Sequence, residues 1–265
     1  MLSAAVQDVC TSAADDASYR ALHDAALALD GLSASRVIGG HMVRLLHLAF
    51  PTDSGIARRT VDADVAVSTE IAAGNEVHRR LLTLGYQAVA GNRYVCGDRV
   101  IDLLVPSQRG HFATEFLGER AFDAVPGLLL DPAVVHVMLT VRVLMRDGTT
   151  ETTVVRVPTV EQAVFLKANA LVLRSELKDI QDLFTLLNIA NVYADDEIGG
   201  WRLSIPGVLG RRGDVQQILY GLVGSAGWRR RLEGAGIPGA LFEALIRSRV
   251  AAPSPSSAAT IPEED

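Results

Sequence analysis

Two short apolar runs of the chain are each broken by acids. Asp62 and Asp64 interrupt Thr60-Val61-Asp62-Ala63-Asp64-Val65-Ala66-Val67, and Asp102 interrupts Val100-Ile101-Asp102-Leu103-Leu104-Val105. Side chains alternate between the two faces of a strand, so Asp62 and Asp64 project to the same side, with two carboxylates abreast. Like charges so placed repel unless a cation sits between them. Mg2+ is the cation such a donor set suits, because it binds one or two carboxylates together with phosphate oxygens. A lone Asp-x-Asp is more often a solvated strand face. A third acid on another apolar strand weighs against that reading, and so does Gly39-Gly40 upstream. There a short apolar segment meets a helix, and bare backbone at a helix N-terminus favours an anion such as phosphate.

The cations point the same way. Lys and Arg together number 25, yet the only lysines are Lys167 and Lys178, close together in one stretch. At 100° per residue, Arg174 and Lys178 fall within about 20° of Lys167 if the helix is continuous, which would make a cationic stripe able to face a triphosphate. Glu176 and Asp179 could equally make it an ordinary solvated face.

The elements that must position these residues follow from periodicity and punctuation. Residues 16–29 read as an amphipathic helix stopped by Gly31, residues 36–38 as a strand, and residues 41–50 as a helix ended by Pro51. Residues 62–67 form a strand, and Thr69 caps a helix running to about residue 84. Residues 86–106 are strands, the last two joined by a turn at Gly97-Asp98. Residues 134–145 and 152–157 flank Asp147-Gly148 as a hairpin. Helices follow at 161–175 behind the cap Thr159, and at 177–190, 214–223 and 239–250. This is an α+β chain: a mixed sheet with flanking helices over residues 1–157, a C-terminal helical domain over 158–252, and a disordered Ala/Ser/Pro tail over 253–265.

Composition narrows the classes. The 265 residues are 49% hydrophobic and 21% charged, an ordinary globular balance. The net charge of -6 opposes binding to nucleic acid by bulk charge alone, so an RNA-binding site would need a local basic groove. No apolar stretch has the length of a membrane span and no secretory leader is evident, which places the chain in the cytoplasm. Cys10 and Cys96 are too few for a disulfide framework, and the histidines lack metal-ligand spacing. Phosphate-loop, dinucleotide and serine-hydrolase motifs are absent. Trp228 with Arg229-Arg230-Arg231, and Arg211-Arg212, read chiefly as surface, with RNA contact as the alternative.

The ordered set Ile38-Gly39-Gly40, Arg58-x-Thr60-x-Asp62-x-Asp64 and Ile101-Asp102-Leu103 resembles the polymerase-β-type nucleotidyltransferase fold. Its spacing, together with Lys167-x-x-Ala170-Leu171-x-x-Arg174-x-x-x-Lys178-Asp179-x-x-Asp182, is similar to the AbiEii/MenT group of nucleotidyltransferase toxins, over roughly residues 36–190. One departure is His41, where many relatives in the wider superfamily place a small hydroxyl residue against phosphate. The resemblance implies transfer of a nucleoside monophosphate from an NTP to an acceptor hydroxyl with release of pyrophosphate. Asp62, Asp64 and Asp102 would hold Mg2+ or Mn2+, with Asp102 on a second ion or acting as general base. Gly39, Gly40, Arg58, Thr60, Lys167, Arg174 and Lys178 would bind the nucleotide, with Lys167 catalytic. The implied acceptor is RNA, foremost a tRNA end, and the implied partner a cognate antitoxin. A small-molecule (antibiotic) nucleotidyltransferase and a catalytically silent nucleotide-binding module are the alternatives. The three acids are expected to converge in one cleft. Lys167 is expected nearest the triphosphate, with Lys178 held by Asp179 and Asp182.

Overall fold

The computed structural model describes residues 2–56, 58–174 and 176–253, so positions 254–265 of the expected tail lie outside the described residues. The strands are β1 (Leu2–Val9), β2 (Ser35–Val37), β3 (Ala63–Val67), β4 (Gln87–Ala88), β5 (Arg93–Cys96), β6 (Arg99–Pro106), β7 (Ala113–Leu117), β8 (Arg120–Val125), β9 (His136–Leu144) and β10 (Thr150–Pro158). The helices are α1 (Ala13–Ala28), α2 (Gly39–Ala49), α3 (Thr69–Ala73), α4 (Glu76–Thr83), α5 (Val160–Arg174), α6 (Leu177–Val192), α7 (Arg211–Leu222), α8 (Ala226–Gly234) and α9 (Gly239–Arg249). The architecture is the expected α+β one, with mixed sheets, flanking helices and a helical C-terminal part.

The larger sheet runs β2-β3-β6-β5-β4, with β8 joining β6 and β7 joining β8. β3 and β6 are parallel, with Asp64 opposite Asp102. Ile101, Leu103 and Val105 are buried on one face of β6, which leaves Asp102 and Leu104 on the other. β6 pairs with β5 through Asp102 and with β8 from Leu104 onward, so it exchanges one neighbour for another beside the acid. A three-stranded sheet, β1-β9-β10, completes the β structure.

Several boundaries differ from the sequence expectation for local reasons. β1 was not expected: its inward face is Leu2, Ala4, Val6 and Asp8, and the terminal acid and outward Val9 blur the alternation. α1 begins earlier because Ser12 and Asp15 form a reciprocal capping box. The helix expected over 69–84 is two helices, capped by Ser68 rather than Thr69 and separated at Asn75, which adopts a left-handed φ of 56°. The β7–β8 hairpin and α8 were also missed. The Gly97-Asp98 and Asp147-Gly148 turns join β5 to β6 and β9 to β10 as expected.

α6 is buried along nearly its whole length and packs against α5, α2 and α9, so the helices that carry the cations rest on the same core as the sheet. Arg212 of α7 pairs with Glu161 at 2.9 Å and lies over the Phe165 ring, a packing role for that arginine. Both cysteines are free, and no helix among the described residues is long and apolar enough to cross a membrane.

Asp8 ties the N-terminal strand to this frame. It accepts hydrogen bonds from Arg44 Nε at 2.9 Å and Nη2 at 2.7 Å, from Tyr19 Oη, and from Arg59 Nη1 at 3.4 Å. Replacing it leaves a largely buried Arg44 without its counter-ion. Asp8→Ala should cost about 3 kcal/mol, read as a lower urea midpoint with unchanged slope. A loss below about 1 kcal/mol would show that Asp8 does not anchor β1.

Candidate metal and phosphate site

Asp62, Asp64 and Asp102 each offer a carboxylate oxygen within 4.8 Å of the others, so the three acids converge. The β3–β6 register places Asp64 against Asp102, while Asp62 lies just before β3 and accepts a 2.7 Å hydrogen bond from Thr60 Oγ1. Burial of its carboxyl, reinforced by the neighbouring Asp62 charge, pushes Asp64 up to about 7. Burial and crowding both disfavour the charged carboxylate, and three carboxylates so placed are a donor set that would hold a divalent ion.

The two glycines explain how the helix end reaches this cluster. A Cβ on Gly39, whose φ is +65°, would lie 1.8 Å from Asp64 Oδ2, and one on Gly40 would lie 2.6 Å from Thr60 Cβ and 2.9 Å from Arg58 Nη2. Only side-chain-free backbone permits both approaches. The first turn of α2 carries no side-chain cap, so its amide groups open beside Asp64. Gly39, Asp64, Lys167 and Arg174 line one cavity of about 120 Å³, whose apolar wall includes Leu104, Phe112 and Leu166. A helix N-terminus beside two cations is electrostatically suited to phosphate.

The cations are not a continuous stripe. α5 ends at Arg174 and α6 begins at Leu177, so Lys178 stands on a different helix from Lys167. Lys178 is half-exposed and pairs with Glu176 at 2.9 Å. It is Lys167, 5% exposed, that meets the acids of α6, at 2.7 Å from Asp182 and 3.4 Å from Asp179. The expected partners of Lys178 therefore belong to Lys167. The break between the helices turns Asp179 and Asp182 toward α5.

Arg58 donates to both Asp182 oxygens at 3.0 and 2.9 Å, and Arg174 to both Asp179 oxygens at 2.8 and 3.1 Å. Burial alone would raise Asp179, but the bonds from Arg174 and the charge of Lys167 outweigh it and hold its carboxyl below the usual range. Asp179 and Asp182 thus aim the three cations, a role that spacing alone did not reveal.

Two further residues complete the surroundings. Arg93 of β5 donates to both oxygens of Asp102, at 2.9 and 2.7 Å. The signal for it was available, because a two-residue turn at Gly97-Asp98 sets Arg93 opposite Asp102. His41 lies behind the glycine turn, with Nε2 2.7 Å from Ser18 Oγ, and its buried Nδ1 has no partner among the described residues. A hydroxyl thus stands beside His41, supplied by α1.

No family model matches the chain, and no curated protein matches it in sequence. Among solved structures it is similar to the antibiotic-resistance factor ANT(2'')-Ia, with a TM-score of 0.40 and 13% identity, over 68% of this chain and 85% of that one.

Burial pushes His41 down to about 4 from an ordinary 6.5, so between those values the unfolded chain binds a proton that the folded chain does not. Stability should be full above pH 6.5 and fall as pH drops toward 4, by about 3 kcal/mol. The measurement is the difference between wild type and His41→Gln in urea unfolding across that range, which removes the titration of other groups. A constant difference would sink the assignment. A second test separates the lysines. Lys167→Met should destabilise by about 3 kcal/mol, because Asp179 and Asp182 lose a buried counter-ion. Lys178→Ala should change stability by under about 0.5 kcal/mol. Equal losses would show that Lys167 carries no buried charge pairing.

Proposed function

We propose that the chain is a metal-dependent nucleotidyltransferase, moving a nucleoside monophosphate from a nucleoside triphosphate to an acceptor hydroxyl and releasing pyrophosphate. The observation that supports this best is the meeting of Asp62, Asp64 and Asp102 within 4.8 Å, beside the uncapped glycine turn of α2. The donor set fits Mg2+ or Mn2+, being three carboxyl groups with oxygens within 4.8 Å of one another. A divalent cation bound there supplies neutralisation of phosphate charge and alignment of the attacking and leaving oxygens.

The chain's own residues do the rest. The amides of Gly39 and Gly40 receive phosphate oxygens, Lys167 and Arg174 at the cavity wall neutralise the triphosphate, Arg58 and Thr60 flank Gly40, and Lys178 adds its charge from beyond Glu176. The acceptor oxygen forms a new bond to the α-phosphorus as the bond from that phosphorus to the pyrophosphate oxygen breaks. The acceptor's proton passes to Asp102 or to solvent, depending on whether Asp102 is a base or a ligand to a second ion.

For the acceptor we infer RNA, foremost a tRNA end, in a cytoplasmic toxin controlled by an antitoxin, on the strength of the two motifs that resemble the AbiEii/MenT group. Exposed arginines support a polyanion at this end of the molecule. Arg229, Arg230 and Arg231 lie on α8, whose Gly234 abuts Leu177, next to Lys178. An antibiotic-like small acceptor and a silent nucleotide-binding module are the competing outcomes of one experiment.

Purified protein with Mg2+ is given each α-labelled triphosphate in turn, with total RNA or a panel of small hydroxyl compounds. Label is expected on RNA, and Asp62→Asn or Asp64→Asn should remove it by at least about 100-fold while the melting temperature holds or rises, since repulsion is relieved. RNA affinity should fall by roughly 0.7 log unit per phosphate contact per decade of salt. Transfer to a small compound with little salt dependence would select the small-molecule reading, and label on no acceptor would select the silent module.

A further inference from the structure

The cations around the carboxylates fall into two groups. Lys167, Arg58 and Arg174 are held by Asp179 and Asp182, outside the three converging acids. Arg93 bonds a member of the trio itself, engaging both oxygens of Asp102. It is also the most exposed of the four, with Arg174 next at 44%. The Arg93 side chain is 49% exposed, whereas Arg58 is 21% exposed against an Asp182 that is 2% exposed. The carboxylate that Arg93 engages is the one whose oxygen lies within 4.8 Å of those of Asp62 and Asp64.

We propose that Arg93 is a stand-in cation, a positioning residue that occupies Asp102 until a divalent ion takes that carboxylate, so that metal entry and release of Arg93 are one exchange. This rests on the metal-dependent reading above. A guanidinium that engages both oxygens leaves the carboxylate fixed and its charge answered, which suits a site waiting for metal. Once a doubly charged ion sits on the same carboxylate, the two cations repel, the ion's larger charge answers Asp102 in place of Arg93, and the half-exposed guanidinium has water at hand to replace the bonds it gives up. The cross-strand register returns it to the same place when the ion leaves, since β5 and β6 are joined by a tight turn and Arg93 is always opposite Asp102.

The test is Mn2+ binding to the intact protein, read from the free-ion signal in electron paramagnetic resonance, without substrate. The pairing that Arg93 gives up to the ion, one charge against another at roughly 3 Å in a watery dielectric, corresponds to about a tenfold effect. Arg93→Gln should therefore bind Mn2+ about tenfold more tightly, and Arg93→Lys should stay within about twofold of wild type. Asp102→Asn combined with Arg93→Gln should lose the gain. In EDTA the melting temperature of Arg93→Gln should lie below that of wild type, and Mn2+ should close the gap. Unchanged or weaker Mn2+ binding by Arg93→Gln overturns the proposal, the weaker result marking Arg93 as an aid to the metal rather than its substitute. Wild-type protein whose Mn2+ binding is indifferent to Asp62→Asn overturns the metal reading itself, an outcome visible before any Arg93 variant is compared.

Discussion

Three carboxylates held within 4.8 Å repel one another, and much of the polar architecture around them answers that repulsion. Arg93 closes on Asp102 from the neighbouring strand, Thr60 donates to Asp62, and Lys167 and Arg174 lower the charge felt at Asp64. The same three acids attract the cations of the helical part as well. Asp179 and Asp182 on α6 oppose them, holding Arg58, Lys167 and Arg174 back at the wall of the cavity. Five carboxylates and four cations therefore make a cluster slightly negative overall, poised to gain from a divalent ion and then able to accept a triphosphate.

The cluster also explains why sheet and helices share one core. Arg58 precedes β3 in the chain, whereas its partner Asp182 is on α6, so the loop that carries Thr60 and Asp62 is tethered to the helical part. α2 supplies the glycine turn at one end and packs on α5 and α6 along its length. A site assembled from such distant segments depends on the packing of buried aliphatic residues, not on any one loop.

Much of this was legible in the residues. Asp62, Asp64 and Asp102 stood out as acids on apolar strands, and Gly39-Gly40 as bare backbone before a helix, because each breaks a local rule that its neighbours keep. The glycines could be suspected of close approach, but that Gly39 would face Asp64 and Gly40 would face Thr60 and Arg58 required the fold. The ownership of Asp179 and Asp182 was misassigned because it rested on their nearness in sequence to Lys178: all three stand on α6, but the two acids are buried against Lys167 of α5 while Lys178 is exposed beside Glu176. Arg93 was within reach of turn geometry alone. β1 was obscured by an acid on its inward face, whose partners Tyr19 and Arg44 come from helices that no local pattern could associate with it.

The change of neighbours along β6 has a consequence for how this chain can vary. Sliding that strand by a single position would turn Asp102 to the opposite face and would disturb its pairings with β3, β5 and β8 together. Three partners thus proofread one register, and a lengthened or shortened β6 could not be absorbed by adjusting any one of them. Room for insertion lies instead outside the strand, in the segment between β6 and β7, where Gln108 to Gly110 are exposed and a longer loop would leave the acid in place.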